Sequence, residues 1–293
     1  MVSRREFLAG ALAAGSSGVL RAIPLDRIRL GVTSDEIDED PAVAAEFLAR
    51  FGLHAAEVRS LWGHYNTEQP LDRIAEARRI FDAHSIRVTV VDTAFFREQI
   101  PADATALDHE WALLDAAMDR ADVLGTKVLR IFSFLRAGAD ESRVCDLLRQ
   151  AARRAGARGF RLAVENLDGR TVATGADAAR MLKAVPEANL GLTWDPNNAG
   201  MSGEKAFPDG YRQLDPARIF HVHLRDYRHR QDGKVEWTAV GAGEFDNLGQ
   251  IRALLKDGYK GAFTLETHWR DPRGKAYSTE TSLKALLRLI ERV

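Results

Sequence analysis

The 293-residue chain is 45% hydrophobic and 28% charged, which is a globular composition long enough for one α/β barrel of roughly 250 residues. Its 41 basic and 42 acidic residues leave a net charge of −1, so no strong positive field exists to gather a phosphate backbone, and no nucleic-acid partner is expected. The single cysteine, Cys145, excludes an internal disulfide framework. No apolar run approaches the roughly 20 residues that span a bilayer, so no membrane partner is expected either.

The N-terminus reads apart from the rest. Ser3-Arg4-Arg5-Glu6-Phe7-Leu8 precedes the Gly/Ala-rich segment Ala9 to Gly15, which resembles a twin-arginine export signal. Residues 1–25 are therefore set aside as a leader and 26–293 as one domain. Export would place the protein in the periplasm or beyond; without it the protein would be cytoplasmic.

After the leader, short β-like runs alternate with longer helix-like ones. Strands are predicted at Ile28–Val32, His54–Val58, Ile86–Val91 and Lys127–Phe132, then at Phe160–Glu165, Leu190–Asp195, Ile219–Leu224 and Ala262–Glu266. Helical spacing of apolar residues occupies Pro41–Phe51, Leu71–His84, Ala106–Leu124, Ser142–Ala155, Ala176–Ala184, Leu248–Asp257 and Thr281–Ile290. The stretch from Met201 to Asp215, rich in Gly, Pro and charge, is the poorest helix candidate. Strict β-then-α alternation gives a parallel sheet. Eight units favour closure into a single (β/α)₈ barrel, and no Gly-rich dinucleotide fingerprint follows the first strand.

Alternate residues of a barrel strand point inward and outward. In the last four strands the bulky apolar residues (Leu162 and Val164, Leu192 and Trp194, Val222 and Leu224, Phe263 and Leu265) share the outward phase. The inward phase ends each strand with Glu165, Asp195, His223 or Glu266, on the C-terminal rim where barrel enzymes build their sites. Three carboxylates meeting there would repel one another unless their pKa values rise or a cation sits among them. With an imidazole alongside, one divalent metal ion is the economical answer. The mixed shell suits Mn, Mg, Zn, Co or Fe without choosing between them.

The motifs Val164-Glu165-Asn166, Trp194-Asp195-Pro196-Asn197-Asn198, His221-Val222-His223-Leu224-Arg225-Asp226, Gly241-Ala242-Gly243-Glu244-Phe245-Asp246 and Leu265-Glu266 follow in order. Together they resemble the xylose-isomerase-like barrel superfamily of sugar phosphate isomerases and epimerases, inosose dehydratases and AP endonucleases. The resemblance implies metal ligands at Glu165, Asp195, His223 and Glu266, with the two glutamates as an acid/base pair. His221 also points inward; the resemblance prefers His223 as the ligand and leaves His221 as a hydrogen-bonded neighbour on the substrate side. Asn198 stands where the DNA-repair and ketose-epimerase relatives carry a histidine, which argues for one metal rather than several and leaves Asn198 to meet a substrate hydroxyl.

Trp62 and His64 after the second strand, and Arg225 after the seventh, complete the expected substrate contacts; Phe95, Phe132, His268 and Trp269 are further rim candidates. Glu57, Arg59 and Arg130 fall within strands and read as an ion-pair network filling the barrel. The implied reaction is isomerisation or epimerisation of a sugar through an enediolate. A lyase acting on a keto-sugar or inosose, and a carbohydrate-binding barrel without catalysis, are the alternatives. The expected partner is a small sugar or polyol, and association of copies into a homo-oligomer is left open.

Overall fold

Each predicted apolar run becomes one strand of a closed parallel barrel in the computed structural model, which describes residues 28–293. The strands are β1 (Arg29–Thr33), β2 (Ala55–Val58), β3 (Arg87–Asp92) and β4 (Val128–Ile131). The second half supplies β5 (Arg161–Glu165), β6 (Leu190–Trp194), β7 (Ile219–Leu224) and β8 (Ala262–Leu265). Every strand pairs with its neighbour in sequence, and β8 closes on β1. The proposed leader and its export role lie outside the described residues.

Eight helices lie between and after the strands: α1 (Pro41–Arg50), α2 (Leu71–Ala83), α3 (Ala104–Leu124), α4 (Glu141–Gly156), α5 (Gly175–Ala184), α6 (Pro196–Met201), α7 (Asn247–Lys256) and α8 (Lys275–Ile290). Their starts are written in the sequence. Asp40, Asp103, Asp140 and Asp246 each accept a backbone N–H of the first turn, and Thr174 and Asp177 form a reciprocal capping box. Gly125 ends α3 at φ 79°, a conformation that costs glycine nothing. The apolar residues facing outward from the strands, among them Leu162, Leu192, Trp194, Val222 and Leu265, are fully buried beneath these helices. Trp194 also donates its indole N–H to Gln250 Oε1 of α7 at 3.0 Å, fixing α7 against β6. No helix among the described residues is long and apolar enough to cross a membrane.

The inside of the barrel is polar rather than filled by branched aliphatic layers. Glu57, Asp92, Arg130, His221 and His223 are all at most 2% exposed. Such groups are tolerated only when paired, and they are: Arg130 donates to Asp92 at 2.7 Å, while Glu57 accepts from both histidines. Burial pushes Asp92 well above the usual carboxylate range despite Arg130. Burial would raise Glu57 as well, but His223 and His221 hold it well below that range.

Three departures from the sequence reading stand out. The short helix α6 stops at Met201, where the poor stretch begins, and that stretch itself forms only tight turns from Ala206 on. Helix α8 begins at Lys275, six residues before the predicted Thr281, because its first turns are polar and carry no apolar period. Two small hairpins, Ser60–Leu61 with His64–Tyr65 and Asp226–His229 with Val235–Thr238, rise beyond the strand ends.

Candidate metal centre

Glu165 is the last residue of β5, Asp195 follows β6, His223 lies one residue from the end of β7, and Glu266 follows β8. Parallel pairing brings their inward side chains to one level of the C-terminal mouth. One donor atom from each lies within 4.8 Å of all the others, and all four residues are buried. His223 Nδ1 faces Glu165 Oε1 and Glu266 Oε2 at 3.3 Å each and Asp195 Oδ2 at 3.8 Å.

Each donor is held from behind. Glu57 takes His223 Nε2 at 2.9 Å through one oxygen and His221 Nε2 at 2.7 Å through the other. With both Nε2 atoms facing a carboxylate, Nδ1 of His223 is the nitrogen left to look into the centre. This carboxylate–histidine arrangement is how protein metal sites fix an imidazole. Asp195 Oδ1 accepts from the backbone N–H groups of Asn197 and Asn198 at 2.9 Å, capping α6 and leaving Oδ2 for the cluster. Asn166 clamps the same strand end by accepting from Asp195 N at 2.8 Å and donating to Asp195 O at 2.7 Å. Asn198 donates to Glu165 Oε1 at 3.2 Å and to Asn166 O at 3.0 Å.

Two buried donor atoms at the centre, His223 Nδ1 and Glu266 Oε2, have no hydrogen-bond partner among the described residues. Leaving such atoms unsatisfied costs about 1–3 kcal/mol each. A divalent cation would satisfy both. Three carboxylates and one imidazole nitrogen make a mixed oxygen–nitrogen donor set that fits such an ion.

A shell of cations balances the carboxylates. Arg225, 1% exposed, donates through Nε to Asp195 Oδ2 at 2.6 Å. Its Nη2 also pairs with Asp195, and reaches Glu266 Oε2 at 2.9 Å in an ion pair without hydrogen-bond alignment. Arg130 Nε lies 3.3 Å from Glu165 Oε2, and Arg59 Nη1 pairs with Glu266 Oε1. Arg59 also holds Asp35 and Glu36, just beyond β1, at 2.7 and 3.0 Å. Burial would raise Asp195 and Glu266, but Arg225 holds both carboxyls below the usual range, with His223 adding to the effect. Burial would likewise lower His223, yet Glu57, Glu266 and Glu165 push it well above an ordinary imidazole.

The other sequence-derived candidates separate. Asn198 and Arg225 sit within the cluster. His221 lies one layer deeper, fully buried on Glu57. Trp62 stands at φ 51° with the Arg73 guanidinium 3.8 Å from its ring centre. His64 is exposed, and its ion pair is with Glu68 at 3.5 Å. Arg59, read as part of the barrel filling, instead belongs to the rim. Sequence reasoning overlooked Asp35 and Glu36, although Thr33-Ser34-Asp35-Glu36 directly follows a strand. It also overlooked Trp237, whose ring centre lies 4.7 Å from the Arg225 guanidinium. The Gly241–Gly243 turn is fastened by Asp226, which accepts from Gly241 N at 2.8 Å, Gly243 N at 3.2 Å and Phe245 N at 3.1 Å.

A family model described as xylose isomerase-like TIM barrel matches residues 45–291. A 3-dehydroshikimate dehydratase of Pseudomonas aeruginosa is 32% identical over 157 residues, which are 50% of this chain and 24% of that protein. The chain thus spans about a quarter of the length of such curated relatives. Among solved structures, the IOLI protein with a binding zinc atom superposes with a TM-score of 0.73 at 19% identity, covering 90% of this chain and 99% of that one. D-allulose 3-epimerase from Methylomonas in complex with D-allulose gives 0.74 at 18% identity, covering 91% and 98%. At these identities the two structures speak to the fold alone. With the family model covering most of its length, the chain belongs to the xylose isomerase-like TIM barrel family.

Proposed function

We propose that this protein is a divalent-metal-dependent isomerase or epimerase of a small polyhydroxy ketone, with Glu165, Asp195, His223 and Glu266 holding the metal. The observation that carries the reading is the convergence of these four buried donors around His223 Nδ1 and Glu266 Oε2, which accept or donate no hydrogen bond among the described residues. A divalent cation bound there supplies Lewis-acid stabilisation of the oxyanion that develops when a proton leaves the carbon next to a carbonyl. Glu165 and Glu266 rise from strands separated by β6 and β7, and so address a ligand at the mouth from two sides. In this reading one carboxylate takes the proton from carbon and the other returns a proton to the opposite face or to the neighbouring carbon. Arg130 lies beside Glu165, and Arg225 holds Glu266 in the ionised form, the state a base requires. Arg225 offsets negative charge at the mouth, and Asn198 orients Glu165.

A second reading, elimination of water after the same proton abstraction, is favoured by one observation: the curated relative named above is a dehydratase at 32% identity. His268 would then be the proton donor to the departing hydroxyl; it reaches Glu266 Oε1 at 3.3 Å and is only a third exposed. Export through the twin-arginine segment remains part of the proposal, and cell fractionation of the Arg4→Lys, Arg5→Lys double variant tests it.

The test of function is incubation of the metal-loaded protein with a panel of keto-sugars and keto-polyols in deuterated water. Deuterium incorporation with an epimer or isomer supports the first reading, and loss of water supports the second. Replacing Glu165→Gln and Glu266→Gln one at a time should lower exchange by about 10²–10⁴-fold. Undiminished exchange in both would remove them as bases.

A further inference from the structure

Three arginines and no lysine are buried among the described residues: Arg225 at 1% exposed, Arg130 at 2% and Arg170 at 9%. Arg225 and Arg130 are matched by carboxylates. Arg170 is not. Its Nε is buried without a hydrogen-bond partner, and its guanidinium enters no ion pair among the described residues. Many surface cations, Arg79 of α2 among them, also meet no carboxylate, but Arg79 is exposed and water solvates it. A buried charge without a counterion is different, because it has lost water and gained no partner.

Arg170 stands at the metal-centre mouth, in the loop that follows β5. Its guanidinium carbon lies 5.9 Å from the ring centre of Phe132. Phe132 directly follows β4, in the inward phase of Arg130. The Arg130 guanidinium lies 4.4 Å from the same ring, and its Nε is 3.3 Å from Glu165 Oε2. The unmatched charge is therefore one aromatic ring away from the metal centre. Arg97, in the loop after β3, brings a third guanidinium to 5.7 Å from that ring; it has Glu98 at 3.9 Å, and both side chains are exposed. The Arg170 loop is held in place, since Arg136 Nε donates to Arg170 O and Thr171 N donates to Phe134 O, each at 3.1 Å. Burial lowers the Arg170 guanidinium below an ordinary arginine; Glu98 and Glu165 act against this from beyond ion-pair distance, and Arg97 adds to it.

The missing counterion carries about one negative charge. Arg97 already has Glu98 beside it, so Arg170 alone is unmatched. A carboxylate supplies one charge and two oxygens spaced for the guanidinium fork. A phosphate ester brings about −1.5 to −2 and would leave charge over at a mouth already holding three carboxylates. With the keto group at the metal centre and an anionic end at Arg170, one short carbon chain would span the two.

We propose that Arg170 is a specificity-determining residue that receives a carboxylate of the substrate, making that substrate a keto-sugar acid rather than a neutral keto-sugar; the proposal rests on the isomerase or epimerase reading above. The test is isothermal titration of the metal-loaded, full-length protein with 5-keto-D-gluconate and with L-sorbose, the same keto-sugar carrying CH₂OH in place of the carboxylate. The expected result is tighter binding of the acid by about tenfold or more, as a charge-assisted contact provides. Arg170→Met should abolish that preference and Arg170→Lys reduce it less, with metal content unchanged in both. Arg79→Gln, at an exposed cation equally without a carboxylate, should leave it intact. Should Arg170→Met fail to fold, Arg170→Gln carries the same comparison. Equal affinity for the two ligands, a preference unchanged in Arg170→Met, no binding of 5-keto-D-gluconate at concentrations on the order of 10 mM, or tighter binding of D-fructose 6-phosphate would overturn the proposal. Incubation in deuterated water separates it from the reading it rests on. An Arg170-dependent preference without deuterium exchange into any keto compound sinks the isomerase or epimerase reading and leaves the carboxylate subsite standing. Exchange into L-sorbose at equal affinities does the opposite.

Discussion

Glu57 illustrates how one residue inside the barrel governs a donor at its mouth. Both of its oxygens accept from imidazole Nε2 atoms, so a single carboxylate sets the tautomer of His221 and of His223. Glu57→Gln keeps the shape but places an NH₂ group against one of those N–H donors. One ring must then turn or move its proton to Nδ1, and in His223 that proton would occupy the nitrogen aimed at the metal. Loss of a supporting carboxylate of this kind typically weakens metal affinity about 10–100-fold. Competition with a chromophoric chelator measures it, and an affinity equal to that of the native protein would reduce Glu57 to a barrel filler. Asn198→Ala should act more weakly, because Glu165 keeps Arg130 at 3.3 Å when the 3.2 Å amide contact is lost. A fall in turnover with metal content preserved is the expected pattern, read by elemental analysis beside kinetics.

At the scale of elements, the hairpin and turn after β7 form one unit fastened by Asp226. Three N–H groups of the 241–245 segment and that of Tyr227 all point at its carboxylate. Asp226→Asn must set an NH₂ against some of those donors, and at about 1.5–3 kcal/mol for a hydrogen bond to a charged group the turn should loosen. A lower urea midpoint together with protease cutting between Gly241 and Asp246 would be the outcome. Gly243→Ala reaches the same end sterically, since an added Cβ would strike the Tyr227 carbonyl and the Asp226 carboxylate. Element order and the inward phase of the strand ends were legible in the sequence, because alternation with period two is local information. The rim shell was not. Arg59 finds Asp35 across 24 residues and Glu266 across 207, and Trp237 reaches Arg225 only through a hairpin beyond the strand. Those meetings depend on tertiary placement of loops, and charged loop residues look alike in sequence whether solvated or converging. His221 was equally ambiguous: its inward phase was readable, its depth below the rim was not.

Across the whole molecule, buried charge is arranged so that the barrel does not require a metal in order to fold. Arg225, Arg130 and Arg59 already meet all three carboxylates of the centre, and Glu57 meets both histidines. Removing a bound metal therefore leaves paired charges rather than bare ones, and the penalty falls mainly on His223 Nδ1 and Glu266 Oε2. The metal should act as an added ligand of the native state, contributing RT ln(1 + [M]/Kd), about 2.7 kcal/mol at a hundredfold excess over Kd. In a domain of this size each kcal/mol shifts Tm by roughly 2–4 °C. Treatment with EDTA should accordingly lower Tm by about 5–10 °C while the far-ultraviolet circular dichroism at 25 °C stays unchanged, and a divalent ion should restore it. Asp195→Asn should abolish that metal-dependent rise, because Oδ1 still caps α6 while the charge facing the cluster is gone. Collapse of the helical signal on chelation would show a barrel that folds around its metal; a Tm indifferent to both treatments would show that the four side chains hold none.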